Sequence, residues 1–317
     1  MLMDPASIAR PKAAGNGRSQ SFPFPTLRLN TIDGDMAYFD HGEGPPVVFV
    51  HGLVGDFTHF EHVAVRLAAR GHRVIGVDLP GCGISHKRRD RHDLGSYARD
   101  VLTLLDELGI ARASLVGHSA GGAIVTEAAL RAPSRVSRVG LLSTAGMRRY
   151  PRATKLAARA LINRWILERT LERLAMPLLD FVFVEKNAYT EKFVRDALDR
   201  PVDATSTEMA RVMADLVPDL IPASVLDRAP SLKMPMLMLW GDADKLVPME
   251  SVEWLASRMP HATFKLMPAC GHMPMIERPE RTARELAAFL EPELAAHAVR
   301  SSSPPSSTRR PRALVAA

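Results

Sequence analysis

Gly117-His118-Ser119-Ala120-Gly121 is the stretch of sequence that decides the fold. It follows the short apolar run Ala113-Ser114-Leu115-Val116 directly and precedes an apolar stretch with helical character. A serine on a sharp turn from strand to helix takes a strained backbone conformation, and small neighbours such as Gly117 and Gly121 let the chain close around it. The hydroxyl of Ser119 would then stand at the amino end of a helix, where free N–H groups favour negative charge. The pattern predicts a nucleophile elbow.

The charge distribution argues against a nucleic-acid partner. The 317 residues carry a formal charge of +6. Residues 1–20 account for +2 and residues 299–317 for +4, so the body between them is formally neutral. A nucleic-acid binder needs a basic face on the folded domain itself. We therefore expect no nucleic-acid partner, and the composition predicts a soluble globular protein.

The cysteines and the start of the chain bear on cellular location. Cys82 and Cys270 do not make a disulfide framework in a chain of this length, and their separation has no metal-ligand spacing. We find no signal-peptide stretch and no run of about 18 apolar residues. These features predict a cytoplasmic protein that needs neither a metal nor a cofactor.

Strand and helix signals alternate between two tails, 1–22 and 299–317, that are predicted to be disordered. A hairpin is expected over Thr26–Asp40, with its turn at Asp33-Gly34. The short apolar runs that follow, separated by helices, predict a mostly parallel, doubly wound sheet with both faces covered. The predicted strands are 47–50, 74–77, 113–116, 136–142, 236–240 and 263–267, and the predicted helices are 59–70, 96–108, 249–258 and 279–290.

The alternation stops between residues 147 and 227, where helical segments follow one another without a strand. Helices are predicted there over 152–175, 191–198 and 205–216. An all-helical insertion in a parallel α/β domain is most simply a cap over the carboxyl edge of the sheet, where ligands bind in such folds. The predicted organisation is therefore a core of 23–146 and 228–298 with a helical cap of 147–227.

Two loops downstream of Ser119 supply the partners that a serine nucleophile needs. A serine hydroxyl requires a base to take its proton, and the base requires a third group to fix its tautomer. Asp242 and Asp244 follow one predicted strand, and His272 follows the next. Parallel strands place these loops at the same sheet edge as Ser119, in the chain order serine, acid, histidine.

Together, these motifs resemble the α/β-hydrolase family over roughly residues 26–294. The resemblance implies Ser119 as nucleophile, His272 as base and Asp244 as the acid, with Asp242 as the competing carboxylate. It also implies an oxyanion hole formed by the backbone N–H groups of Leu53 and Ala120. The motifs that carry it are His51-Gly52-Leu53, Asp78-Leu79-Pro80-Gly81-Cys82-Gly83-Ile84-Ser85, Gly117-His118-Ser119-Ala120-Gly121-Gly122, Gly241-Asp242-Ala243-Asp244 and Gly271-His272.

Four further residues near these motifs have a structural interpretation that we favour over a catalytic one. His51 is expected to bond backbone at a turn, and His118 to point away from the nucleophile. Asp78 is expected to brace the Gly81-Cys82-Gly83 loop. Cys270 is expected to be a small buried apolar group.

The cap offers apolar and basic side chains. Met176, Phe181, Met209, Met213 and Met273 are candidates for an adaptable apolar pocket, although such residues at helical spacing also form plain core. The first cap helix is basic and amphipathic, which is compatible with an anionic membrane surface. A solvated face on a helix packed against the domain is the favoured interpretation.

Three functions remain open. The leading hypothesis is a serine hydrolase that cleaves a carboxylic ester with an apolar acyl group through an acyl-enzyme intermediate. The second is carbon–carbon bond hydrolysis of a ring-cleavage dienoate; relatives with that activity usually carry a tryptophan after the histidine, where this chain has Met273. The third is a non-catalytic ligand-binding protein on the same fold. The expected partner is a small-molecule ester, and the oligomeric state is left open.

Overall fold

A computed structural model describes most of the chain between residues 22 and 302. Its backbone forms an eight-stranded sheet with helices on both faces and a helical insertion after the sixth strand. The described ranges are 22–53, 55–88, 90–146, 151–198, 203–220, 224–259 and 261–302. The strands are β1 (Leu27–Thr31), β2 (Gly34–His41), β3 (Pro46–Val50), β4 (Arg73–Val77), β5 (Ala113–His118), β6 (Val136–Leu142), β7 (Met236–Gly241) and β8 (Ala262–Met267).

The helices of the described ranges fall into three sets. Those before the insertion are α1 (Glu61–Ala68), α2 (Leu94–Glu107) and α3 (Ala120–Arg131). Those of the insertion are α4 (Arg152–Leu161), α5 (Arg164–Val182), α6 (Ala188–Leu198), α7 (Asp203–Leu220) and α8 (Ser224–Arg228). Those after it are α9 (Met249–Arg258), α10 (Pro274–Glu277) and α11 (Pro279–Ser302).

The strand order is β1-β2-β4-β3-β5-β6-β7-β8, and all strands from β3 to β8 run parallel. β3 pairs with β4 on one side and β5 on the other, so Val50 lies beside both Val77 and Gly117. The loops after these three strands therefore leave the same edge of the sheet, at the point where the strand order reverses. Such switch points are where ligands bind in open α/β sheets.

Alternating residues of β3 divide the core into two layers. Val48 and Val50 pack on one face against the layer that contains α2 and α3. Val47 and Phe49 pack on the other face against α1 and α11. The central strands β3, β4, β5, β6 and β7 are buried on both sides, which is why they appear in the sequence as apolar runs. The predicted α/β-hydrolase fold with a doubly wound sheet is confirmed.

Three local predictions need correction. The hairpin is present, but its turn residues are Ile32 and Asp33, because Thr31 pairs with Gly34. The helix predicted over 152–175 is two helices. Asn163 ends the first by donating its side-chain amide to the carbonyl of Ala160 and starts the second by accepting from the N–H of Ile166. This is ordinary N-cap chemistry.

The last helix is longer than predicted. It continues past Leu290 through Pro292 to Ser302, so the predicted disordered tail begins inside it. Tertiary contacts support the extension, because Glu293 pairs with Arg138 and Leu294 lies over Gly71. Residues 1–21 and 303–317, which cover most of the two predicted tails, lie outside the described ranges. Among the helices that are described, none is both long enough and apolar enough to cross a membrane.

Candidate active site

Ser119 occupies the turn between β5 and α3 and has the strained backbone expected of it. Its φ is 50° and its ψ is −119°, in a region that non-glycine residues rarely adopt. Its N–H donates to the carbonyl of Leu142 at 3.0 Å, and its own carbonyl accepts from Ala145 at 3.0 Å. A Cβ at Gly117 would overlap the carbonyl of Gly121, so the elbow closes only because both are small. The predicted elbow geometry is confirmed.

Asp244 and His272 come together across the loops after β7 and β8. The Nδ1 of His272 donates to Oδ2 of Asp244 at 2.9 Å, and both side chains are almost fully buried. An ionised carboxylate only accepts, so this bond places the proton on Nδ1 and leaves Nε2 with a free lone pair. Oδ1 of Asp244 accepts from the backbone N–H groups of Leu246 and Val247, each at 2.9 Å.

Among the described residues, the competing carboxylate of Asp242 makes no hydrogen bond with His272. It is exposed, and its Oδ1 accepts from the backbone N–H of Cys270 at 3.4 Å. Of the two acids that the sequence offered, the geometry therefore selects Asp244. The roles of Ser119, His272 and Asp244 in a reaction stay a prediction.

His118 is the last residue of β5 and positions the histidine loop. Its Nε2 donates to the backbone carbonyl of His272 at 2.9 Å, and the two rings lie 4.9 Å apart. Burial lowers the pKa of His118 well below its usual range, and the neighbouring His272 lowers it further. His118 is therefore a neutral ring, and it does not oppose a positive charge that develops on His272. The expected packing role is confirmed.

His51 and Asp78 hold the loops around the candidate oxyanion hole. The N–H of Leu79 donates to Nε2 of His51 at 3.1 Å, and Nδ1 of His51 donates to the carbonyl of Gly52 at 2.7 Å. Asp78 accepts from the N–H groups of Phe57 and Ile84, each at 2.9 Å. Both side chains thus bond backbone, as the structural interpretation of each predicts.

The two predicted oxyanion donors are the backbone N–H groups of Ala120 and Leu53. Ala120 is the first residue of α3, where backbone N–H groups have no partner within the helix. Leu53 lies in the loop after β3, half-buried against the core. A Cβ at Gly52, beside Leu53, would lie 3.0 Å from Cβ of Ser119, so this loop passes close to the nucleophile. The assignment of both donors stays a prediction.

Glu277 is a central residue of the site that the sequence interpretation missed. Its buried carboxylate accepts from the N–H groups of Gly271 at 3.0 Å and Met273 at 3.3 Å, on both sides of His272. It also accepts from Val184 at 3.0 Å and Glu185 at 3.1 Å, at the end of the α5 segment. The sequence did contain a signal for this role. Glu277 is an acid in the first turn of a short helix that begins at a proline, and acids at such a position bind free N–H groups.

The cap and the histidine loop also share a direct backbone bond. The N–H of His272 donates to the carbonyl of Val182, the last residue of α5, at 2.9 Å. On the other side of the cap, Asp215 and Arg211 of α7 bond the loop that precedes α2. Asp215 accepts from the N–H of His92 at 3.1 Å, and Arg211 donates to the carbonyl of Asp90 at 3.0 Å. The cap is therefore fastened to the core at both ends of the site.

Buried ionisable groups lie beneath α7. His92 contacts Glu208 through Nε2 at 3.2 Å and Tyr97 through Nδ1 at 2.8 Å, and burial lowers the pKa of His92. Nearby, Asp100 is paired with Arg88. Burial raises the pKa of Asp100 to about 6, although the guanidinium of Arg88 opposes the shift.

A very small cavity, about 10 Å³ in volume, lies between the cap and the candidate oxyanion hole. Leu53 and Ala120 form one side of it, and Val212 and Leu216 of α7 cover it. The remaining lining residues come from the core: His51, Gly52, Leu79, Cys82, Tyr97 and Ile124. The cavity thus adjoins both residues that were predicted to stabilise an oxyanion.

Four of the residues predicted to form a pocket do not line this cavity, and their role as a substrate pocket stays a prediction. Phe181 is 43% exposed, Met209 and Met213 are half-buried, and Met273 is packed in the core layer of α1 and α11. None of these four is among the residues that line the cavity. On α7 the difference comes from rotation around the helix axis, because Val212 and Leu216 lie on the face next to the one that carries Met209 and Met213. The side chain of Met176 lies outside the described residues.

Comparison with known proteins agrees with this geometry. The sequence matches the family described as alpha/beta hydrolase fold over residues 45–279. The chain belongs to this family. The strand order described above is that of this fold.

Two relatives and one solved structure show the range of activities near this chain. The dihydrolipoyllysine-residue acetyltransferase component of the acetoin cleaving system of Pseudomonas putida is 34% identical over 257 residues, which span 78% of this chain and 64% of that protein. The 2-hydroxy-6-oxononadienedioate/2-hydroxy-6-oxononatrienedioate hydrolase of Burkholderia vietnamiensis is 32% identical over 259 residues, 79% of this chain and 85% of that one. An esterase from Exiguobacterium antarcticum shares the fold, with a TM-score of 0.72 at 22% identity over 83% of this chain and 98% of that one.

Proposed function

We propose that this protein is a serine hydrolase that cleaves carboxylic esters with an apolar acyl group. The observation that carries the proposal is the cavity beside Leu53 and Ala120, whose lining offers a substrate apolar surface and no free charge. An acyl chain that packs against this lining leaves water, and each buried methylene contributes about 0.8 kcal/mol. The carbonyl carbon of such an ester would lie near Ser119, between the cavity and the histidine loop.

The polar side chains of the lining support this substrate class because their polar atoms are already engaged. Both ring nitrogens of His51 bond backbone. The hydroxyl of Tyr97 donates to the carbonyl of Pro80 at 3.0 Å and contacts His92. Burial raises the pKa of the Cys82 thiol, so this group is neutral. A carboxylate in this cavity would meet none of the charged partners that its desolvation requires.

The proposed reaction follows from the arrangement of protons. Oγ of Ser119 attacks the ester carbonyl while its proton passes to Nε2 of His272, and Asp244 stabilises the imidazolium that forms. The N–H groups of Leu53 and Ala120 bind the negative charge on the former carbonyl oxygen. His272 then returns the proton to the leaving alcohol. Water attacks the acyl-enzyme in the same way, which releases the acid and restores Ser119.

The second candidate is carbon–carbon bond hydrolysis, which the name of the Burkholderia vietnamiensis relative supports. The substrate in that name is a dioate and carries two carboxylates, whereas the cavity lining described here is apolar. We therefore rank it second. The cytoplasmic location and the small-molecule ester partner stay predictions that accompany the proposed activity.

A chain-length series tests the substrate class. We expect the kcat/KM for p-nitrophenyl esters to rise severalfold per added pair of acyl carbons from acetyl until the chain meets the wall formed by α7. Val212→Met adds volume to the cavity wall and should shift the preferred acyl group to a shorter one. Met213→Val, the reciprocal change at the adjacent position outside the lining, should leave the preference unchanged.

Two further measurements separate the alternatives. A fluorophosphonate probe should label the wild-type protein and not Ser119→Ala, and failure to label would favour a ligand-binding protein. A dienoate from ring cleavage should be hydrolysed poorly. Efficient cleavage of the dienoate, together with weak turnover of all the esters, would replace the proposal with the carbon–carbon hydrolase.

A further inference from the structure

The two first helices of the cap bury their apolar residues to different extents. In α5, Leu167 and Leu171 are buried, as expected of a helix that packs inside the cap. In α4, by contrast, Leu156 is 73% exposed and Leu161 is 65% exposed. Trp165, at the start of α5, is 64% exposed. The first cap helix therefore leaves two large apolar side chains, Leu156 and Leu161, in contact with solvent.

The exposed apolar residues of α4 form one continuous face. Successive residues of a helix are rotated by about 100°, which brings five side chains together on one side. All five are exposed: Ala153, Leu156, Ala157, Ala160 and Leu161. The half-buried Ala158 lies on the opposite side, toward the rest of the cap. We call the five residues together with Trp165 the α4 face.

The sequence that contains α4 is rich in cations, and the first acid after it is Glu168, which pairs with Arg164. Between residues 147 and 167 the sequence has six cations and no acid: Arg148, Arg149, Arg152, Lys155, Arg159 and Arg164. Because residues 21–298 are formally neutral as a whole, the rest of that body carries a charge of −6. The molecule therefore concentrates positive charge at the segment whose apolar side chains are exposed.

Trp165 adds a third property to the α4 face. The guanidinium of Arg169 lies over its ring, 4.2 Å from the centroid, so the exposed indole is flanked by a cation. Tryptophan is enriched at membrane–water interfaces, where one part of its ring system is apolar and another is wet. Arginine beside it keeps its head group in the polar layer while its stem covers apolar surface.

We propose that the α4 face docks on the surface of an anionic phospholipid bilayer. An amphipathic helix with an apolar face and a cationic flank lies in the plane of the interface, with its apolar side chains about 5–10 Å into the boundary of head groups and acyl chains. The cations are attracted to the negative lipid surface, and the apolar residues leave water. This binding does not depend on the proposed ester hydrolysis.

Sedimentation with phospholipid vesicles tests the docking. The full chain should bind vesicles of phosphatidylcholine mixed with phosphatidylglycerol and bind pure phosphatidylcholine much more weakly. The combined variant Leu156→Gln, Leu161→Gln and Trp165→Gln should lower binding at least tenfold. Ile32→Gln, a matched change at a fully exposed apolar residue in the β1–β2 turn, should bind like the wild type.

A second variant tests the charge. The combined change Arg152→Gln, Lys155→Gln and Arg159→Gln should weaken binding about fivefold per cation removed, and about a hundredfold in all. Added salt should weaken wild-type binding and affect this variant less. Both variants should hydrolyse a water-soluble short-chain ester at the wild-type rate, so that loss of docking is separate from loss of the proposed activity.

Two results would overturn the proposal. If both combined variants bound mixed vesicles as tightly as the wild type, the attraction would lie elsewhere, for instance in the basic tails that they retain. If the apolar variant changed the sedimentation coefficient of the protein without lipid and left vesicle binding intact, the α4 face would be a contact between copies of this chain.

Discussion

Replacing Asp244 with asparagine should trap His272 in an unproductive tautomer. The side chain of Asp244 has two distinct sides, because one oxygen accepts from two backbone N–H groups and the other accepts from Nδ1 of His272. In Asp244→Asn, the amide oxygen must remain at the first position to satisfy the N–H groups of Leu246 and Val247. The amide NH₂ then faces His272, so Nδ1 must become an acceptor and the proton moves to Nε2.

The size of the effect follows from the cost of the alternative orientation. Turning the amide would leave the buried N–H of Val247 and the partly buried N–H of Leu246 unsatisfied, at about 1–3 kcal/mol each. The productive tautomer would then be populated between about one part in thirty and one part in 10⁴. The variant also loses the negative charge that stabilises the imidazolium. We therefore expect kcat for a p-nitrophenyl ester to fall about a thousandfold or more.

The assay needs a control for the loop itself. Asp242→Asn alters an exposed carboxylate in the same loop, whose recorded bond is a long one to Cys270, and should lower kcat only severalfold. Urea unfolding of both variants should stay close to that of the wild type, because the substitutions conserve shape. A loss of less than tenfold in Asp244→Asn, or a larger loss in Asp242→Asn, would refute the tautomer argument.

Three more predictions concern the site and its support. Ser119→Ala and His272→Ala should each remove nearly all turnover, and the double variant should be scarcely slower than either, since the residues act as one unit; additive losses would contradict a shared role. Glu277→Gln places an amide donor against backbone donors, so it should destabilise the protein to urea by about 2–5 kcal/mol and lower kcat, whereas Glu280→Gln, at a surface ion pair, should change stability by under about 1 kcal/mol. Because the pKa of Asp100 is raised to about 6, its protonated form favours the folded state, and that stabilisation is complete below about pH 4 and is lost as pH rises through 6. The free energy of unfolding in urea should therefore fall by about 2–3 kcal/mol over this pH range through Asp100, and Asp100→Asn should remove this fall.

Local signals predicted the parts of the molecule that local physics determines. The elbow at Ser119 needs only small neighbours and a strand before it, and both are visible in the sequence. The acid follows β7, which is buried on both faces and therefore appears as an apolar run, and the base follows the next strand. The sequence also contained a helix N-cap signal that was overlooked. Asn163 is a good N-cap residue, and it divides the helix predicted over 152–175.

Features that depend on how elements meet were beyond the sequence. Val212 and Met213 are adjacent on α7, and both are apolar, so only the docking of the cap decides which one covers the cavity. Pro292 would be taken as a helix end, yet contacts at Glu293 and Leu294 continue α11 past it. Glu277 acquires its importance from N–H groups of two segments, at Val184–Glu185 and Gly271–Met273, that are far apart in the chain.

The bond between Val182 and His272 limits how caps can be exchanged in this protein. A designer who replaces the helical insertion to change selectivity would naturally cut at the ends of the cap helices. Here Val182, the last residue of α5, accepts from the N–H of His272, and Val184 and Glu185 donate to Glu277, which holds the loop of the proposed base. The segment Val182–Glu185 should therefore be kept with the core when a foreign cap is grafted, because it is part of the frame that aims His272.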